Sequence, residues 1–288
     1  MDSPRPITIR AHDDGVNRWR MAEARAASAL ARHVRSYSAY DETTTGFTAR
    51  RELASTGVVV IFNLGAPVEL TGADGAAIAL DAGEAFAAGF ADGTSISRSG
   101  GSQSGIHIFM PWATLGRLCG CPVSEVANRV VRLDDLIGGR ASDLGGRLVE
   151  AGNDAQRFAL LDAFVMDRLG ESEAMDGRIA AAVARLRARP DTSIRALADW
   201  AGWSPRHFLQ RFRDETGLAP ARFARLARFE HFTAAIAADP DARLADIAQD
   251  SGFYDEPHLA REVRAFAGVT PGELRARIIP GGGGFVDS

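Results

Sequence analysis

The chain contains no lysine: all 33 of its basic residues are arginine, which we read as a compositional habit rather than a functional device. Cysteine is nearly as scarce. Cys119 and Cys121 are the only two, and the single residue between them makes a mutual disulfide awkward, in keeping with a reducing compartment. No apolar run approaches the roughly 18 residues that a membrane helix needs, so no span is expected. The opening MDSPRPITIRAHDDG lacks the apolar stretch of a secretory signal, and a cytoplasmic location follows as the expectation. The histidines at positions 12, 33, 107, 207, 231 and 258 never stand at metal-ligand spacing from one another. Phosphate-cradling loops, dinucleotide fingerprints and nucleophile elbows are missing too. These absences argue against an enzyme: no catalytic residue, metal site or cofactor is expected.

What is present is an ordinary globular composition over 288 residues, with 46% hydrophobic and 24% charged residues, long enough for two domains. The net charge of -4 hides an asymmetry, because residues 178–279 carry 16 Arg against 13 acidic residues, a surplus of three positive charges. Nucleic-acid binding depends on clustering rather than on totals, so this surplus is a weak pointer by itself.

Periodicity divides the chain. Trp19 to about Tyr37 is helix-compatible. Strands follow over about 45–110, among them Val58–Leu64, Ile78–Leu80, the surroundings of Phe86 and Phe90, Ser95–Ser97 and Ile106–Met110, separated by Gly/Asp/Ser turns. Helical spacing takes over at about 112–170, through WATLGRLCG, PVSEVANRVV, LDDLIG and FALLDAFVMDRL. The polar Gly170–Gly177 reads as a linker, with a boundary near residue 175. The expected fold is therefore α+β: an N-terminal domain (1–175) of antiparallel sheet or barrel-like form followed by helices, an all-α domain (176–279), and a flexible tail (280–288).

The all-α part contains a repeat. Leu197–Pro220 and Ile247–Pro271 align with Ala198 on Ala248 and Gly202 on Gly252, then Arg213 on Arg264, Gly217 on Gly268 and Pro220 on Pro271. Ala at the crossing allows close helix approach, and Gly202 and Gly252 suit a turn between helices. Phe208 with Phe212, and Leu259 with Val263, are i, i+4 pairs that seat the second helix of each unit. Gly217 and Gly268 suit the left-handed residue after a helix, while Pro220 and Pro271 suit the first position of the next, with Thr270 as N-cap. Two helix-turn-helix units in tandem are expected, joined by a rigid helix from Pro220 to about Ala238.

Over about Ile179–Arg277 this pattern resembles the DNA-binding domain of the AraC/XylS family of transcription regulators. GFYDEPHLAREVRAFAGVTPGELR carries most of the likeness, with Val263 where an aromatic is usual; SPRHFLQRFRDETGLAP departs at Arg211 and Ala219. The resemblance implies sequence-specific binding of double-stranded DNA, and the N-terminal part more faintly resembles the sensor or partner domains of such proteins.

With the apolar pairs inward, Ser204, Arg206, Leu209, Gln210 and Arg213 fall on the DNA side of the first recognition helix. Glu256, Pro257, Ala260, Arg261 and Arg264 do so in the second. Arg206 and Arg261 suit guanine and Gln210 adenine, while Ser204 suits a cap and a phosphate. A small apolar or amphipathic effector is expected among the strands around Phe62, Phe86, Ile106 and Ile108, and His107 lies where it would project into a barrel. The alternative is a ligand-independent regulator whose N-terminal domain serves self-association or protein contact. RNA polymerase and a second copy of the chain stay open as partners, and activation of transcription is the working expectation.

Overall fold

The computed structural model describes residues 5–15, 17–44, 48–171, 177–278 and 284–286. Strands come first: β1 (Thr8–Asp13), β2 (Arg18–Ala24), β3 (Ser36–Thr43), β4 (Thr48–Glu52), β5 (Val59–Asn63), β6 (Val68–Thr71), β7 (Ala77–Leu80), β8 (Ala85–Ala88), β9 (Ser95–Ser99) and β10 (Ser102–Phe109). Helix α1 (Trp112–Cys119), a 3-10 turn at Val123–Val126, β11 (Val130–Arg132), α2 (Leu133–Ile137), α3 (Arg140–Glu150) and α4 (Asp154–Glu171) complete the N-terminal part. The rest is helical: α5 (Gly177–Ala188), α6 (Ile194–Trp200), α7 (Pro205–Thr216), α8 (Pro220–Ala238), α9 (Leu244–Asp250), α10 (Glu256–Ala267) and α11 (Pro271–Arg277), followed by β12 (Gly284–Val286).

The strands form two antiparallel sheets, one of seven strands in the order β1-β2-β3-β10-β5-β8-β11 and one of five in the order β12-β4-β9-β6-β7. Alternation along each strand gives the larger sheet two different faces. Tyr37, Val60, Phe62, Ile106 and Ile108 point to one face and are fully buried against the helices, with Tyr37 stacked on Phe158 of α4 at 5.7 Å between centroids. Val59, Ile61, Phe86 and Val130 point to the other, where they meet Leu70, Leu80, Val68 and Ile78 of the smaller sheet.

Three expectations need correction. The Trp19–Tyr37 run is not a helix: Arg18–Ala24 pairs along its whole length with β3, and Ser28–Leu30 forms a 3-10 turn. Alanine favours a helix locally, but a distant strand supplies ladder bonds that a local pattern does not reveal. PVSEVANRVV likewise splits into the 3-10 turn and β11, since Val130–Arg132 pairs with β8. The supposed flexible tail contains β12, which pairs with β4 and buries Phe285 to 1% exposure. The boundary expected near residue 175 lies outside the described residues.

Candidate nucleic-acid interface

Each helix-turn-helix unit is built by the same local rules. In the first, α6 begins on the Ser193 cap and ends before Gly202, whose φ of 71° places it in the left-handed region that reverses the chain. Ser204 then caps α7 by accepting from the His207 amide, with Pro205 at the first helical position. In the second unit Gly252 turns the chain at φ 83°, Asp255 accepts from the His258 amide and α10 follows. Gly217 and Gly268 close α7 and α10 in the left-handed conformation. Thr270 forms a full capping box with Glu273, whose carboxyl is held below its ordinary range by the Thr270 backbone and side-chain hydrogen bonds. Ala219, where a capping side chain is absent, still opens α8 through Pro220.

The buried stripe of α7 is Phe208 and Phe212, and that of α10 is Leu259, Val263 and Phe266. With these inward, Ser204, Arg206, Leu209, Gln210 and Arg213 are exposed on α7, and Glu256, Pro257, Arg261 and Arg264 on α10; Ala260 is half-buried. Leu209 keeps 44% of its surface in water on the same side as Arg206 and Gln210. Arg225 of α8 grips Glu262 of α10 through bonds of 2.8, 2.9 and 3.2 Å, which fixes the second recognition helix on the connector and raises the Arg225 pKa further. Arg211, the atypical residue, lies partly buried and pairs with Glu215 at 2.7 Å.

Sequence reasoning missed two residues here. Tyr254, in the turn before α10, is 92% exposed, and its amide hydrogen bonds to His258 Nδ1 at 3.3 Å. Asp255 is the N-cap, and the DEP tripeptide, an acidic cap before proline, was the available signal.

The N-terminal part borders this surface. Ser124 Oγ donates to the Asp214 carbonyl at 2.6 Å, and Gln210 Nε2 donates to Asp214 Oδ1 at 2.7 Å. Pro122, Ser124 and Glu125 face Gln210, Arg213 and Asp214 across an open groove. At Gly217 a side-chain carbon would lie 2.4 Å from the Ala127 Cβ. Phe90 meets Phe223 edge-on at 5.3 Å, Arg222 pairs with Asp92 at 2.7 Å, and Glu230 of α8 accepts from Ser55 Oγ, the Thr56 amide and Thr56 Oγ1.

The four residues expected to line an effector site are not brought together. Phe62, Ile106 and Ile108 lie in the core between the larger sheet and the helices with no exposed surface, while Phe86 faces the smaller sheet. The reason is the two-residue period: Phe62, Ile106 and Ile108 alternate with the residues that face between the sheets. On that inner face His107 sits between Ser38 and Ile61 in register, with Tyr40 and Phe109 edge-on to it at 4.9 and 5.5 Å. Burial drives the His107 pKa down to about 4 and the Tyr40 pKa up to about 12. Arg50 of β4 pairs with Glu42 of β3 across the sheets, and burial raises the Glu52 carboxyl while Arg50 pulls it back. The thiol of Cys119 is pushed up to about 12 by burial, and neither cysteine is in a disulfide. Among the described residues no group of three or more His, Cys, Asp and Glu is arranged to hold a metal ion, and no helix is long and apolar enough to cross a membrane.

Residues 197–277 match the model of a helix-turn-helix domain. An uncharacterized HTH-type transcriptional regulator of Staphylococcus aureus strain MSSA476 is 29% identical over 85 residues, a stretch that covers 30% of this chain and 11% of that protein. The chain thus spans about a ninth of that relative's length. Among solved structures, apo ToxT of Vibrio cholerae, in a variant form, superposes with a TM-score of 0.50 at 10% identity over 83% of this chain and 96% of its own. A second ToxT structure, at 1.65 Å resolution, gives 0.50 at 8% identity over 83% and 97%. At such identities the likeness is one of fold: an antiparallel sheet domain ahead of a helical domain.

Proposed function

Given that residues 197–277 match a helix-turn-helix domain and resemble the DNA-binding domain of the AraC/XylS family, we propose that the chain is a transcription regulator that reads a specific duplex through α7 and α10. The observation that carries this reading is the equivalence of the two helices: each is capped at its start, closed by a left-handed glycine, seated on an apolar stripe and arginine-bearing on its exposed side. Arg206 and Arg261 suit paired hydrogen bonds to guanine and Gln210 a pair to adenine; Ser204 suits a phosphate. If the two recognition helices are presented to one face of a duplex, they seat in successive major grooves about 34 Å apart. The test is a footprint of the full chain on a duplex enriched from a random pool. Two protected half-sites about one helical turn apart support the reading, and one protected groove segment sinks it. Binding should weaken as salt rises.

Control by a small effector is the second part of the proposal, and its place moves to the inner face of the sheets. Among the described residues no hydrogen bond reaches the half-buried side chains of Tyr40, Glu52 and His107 there, beside the apolar Val59, Ile61 and Phe86. That combination suits a compact amphipathic molecule that offers both a donor and an acceptor. Titrating a candidate with and without the enriched duplex decides the matter, because an equilibrium effector and DNA must change each other's affinity by the same factor. The alternative is an N-terminal domain that serves only association, for which Ile9 on the edge strand β1, 57% exposed, is the nearest apolar candidate.

A further inference from the structure

β12 touches both halves of the molecule. Gly284, Phe285 and Val286 pair with Glu52, Arg51 and Arg50 of β4, while Phe285 also bridges to Ile278, the residue that ends α11. Phe285 is 1% exposed, with the Arg51 guanidinium 5.9 Å from its ring centroid. A strand three residues long therefore links the last helix of the second DNA-binding unit to the free edge of an N-terminal sheet. Added strands of this kind satisfy an edge's bare amides and carbonyls while a side chain anchors the register. The fit is close. A side-chain carbon at Gly284 would lie 2.5 Å from the Arg51 carbonyl oxygen and 3.0 Å from Glu52 Oε2.

The edge that β12 occupies is also a wall of the inner face, since β4 carries Arg50 and Glu52. At the opposite end of the helical domain the 3-10 turn sits against α7, through Ser124 and Ala127. The N-terminal part thus holds both units at once. Where it holds the first, Glu125 lies on the far side of the groove from Gln210 and Arg213 and brings a negative charge to the flank along which a phosphate backbone would run.

We infer that β12 is a tether that keeps the DNA-binding domain docked on the N-terminal sheets, so that this arrangement is the restrained one and detachment of β12 releases α7 to seat in DNA. The inference rests on the DNA-binding reading above, and it extends that reading to the regulation of the same surface.

Two point variants of the full chain and one shortened chain test it: Gly284→Ala, Phe285→Ser, and a chain ended at Ile278, which introduces no clash and so separates loss of the strand from misfolding. Amide hydrogen exchange is followed at Arg50–Glu52 and, remotely, at Arg213–Gly217; affinity is measured on the duplex enriched by the unaltered chain. The tether predicts faster exchange at both places and at least about fivefold tighter DNA binding, the lower end of ordinary coupling between sites. Unchanged exchange at β4 shows that the strand is not paired in solution and overturns the inference. Faster exchange with equal or weaker DNA binding overturns it as well. Should no duplex be enriched at all, the DNA-binding reading fails by itself; the docking role of β12 is then judged on exchange, kept by an effect that reaches Arg213–Gly217 and lost by one confined to β4.

Discussion

Two arginines and one histidine carry the most informative single-residue tests. Arg206 and Arg261 are exposed on equivalent recognition helices, and replacing either by Ala is expected to cost roughly 1 to 3 kcal/mol on the preferred duplex while relaxing choice at one or two base pairs. Equal losses on preferred and random DNA, read from parallel binding isotherms, would reduce the residue to a phosphate contact. His107 has no charged partner, and burial takes its pKa from 6.5 down to about 4. Below pH 6.5 the unfolded chain therefore binds a proton that the fold refuses, so stability falls as the pH drops, by on the order of 3 kcal/mol near pH 4. His33 is shifted in the same direction, chiefly by burial, so the comparison must be between His107→Gln and the unaltered chain. Urea midpoints at pH 7, 5 and 4 should decline less steeply in the variant; parallel declines would show that His107 is solvated.

At the scale of elements, caps and stripes decide what is readable. Gly217 and Gly268 adopt the left-handed conformation expected of them, Gly202 and Gly252 turn the chain between helices in the same conformation, and α8 runs from Pro220 to Ala238 as expected. These features are legible because each is fixed within a few residues by hydrogen bonds that the sequence itself supplies. Thr270 is an example whose worth can be measured: Thr270→Ala removes a capping box and should lower stability by about 1 kcal/mol, observable as a shifted denaturation midpoint with unchanged slope. The strands were harder. Val59–Asn63 declares itself as a β-branched run, yet Arg18–Ala24 looks helical until β3 is beside it. The inner-face residues escaped for a related reason, because parity along β10 separates His107 from Ile106 and Ile108, and only the second sheet shows what packs on each side. Gly284–Val286 escaped because three residues after a glycine run carry no periodicity at all.

For the molecule as a whole one point of union is Glu230, half-buried, with Ser55 Oγ, the Thr56 amide and Thr56 Oγ1 all donating to it across the boundary between the sheets and the helices. Glu230→Ala leaves those donors without their acceptor, at an expected cost of roughly 1 to 3 kcal/mol, and should speed amide exchange at Thr56 well before global unfolding. Exchange at Thr56 that tracks only the global transition would show that the two halves never part locally. The junction at Gly217 has a further, genetic consequence. One residue ends α7 with φ 78° and also admits Ala127 at a distance that no side chain tolerates. Gly217→Ala thus combines two injuries, a strained backbone and a collision, and Ala127→Gly relieves the nearer part of the second, leaving the Ser124 Cα at 3.2 Å. A suppressor search begun from Gly217→Ala should therefore recover Ala127→Gly as a partial revertant, and comparison with Ala127→Gly alone measures how far the two positions are coupled.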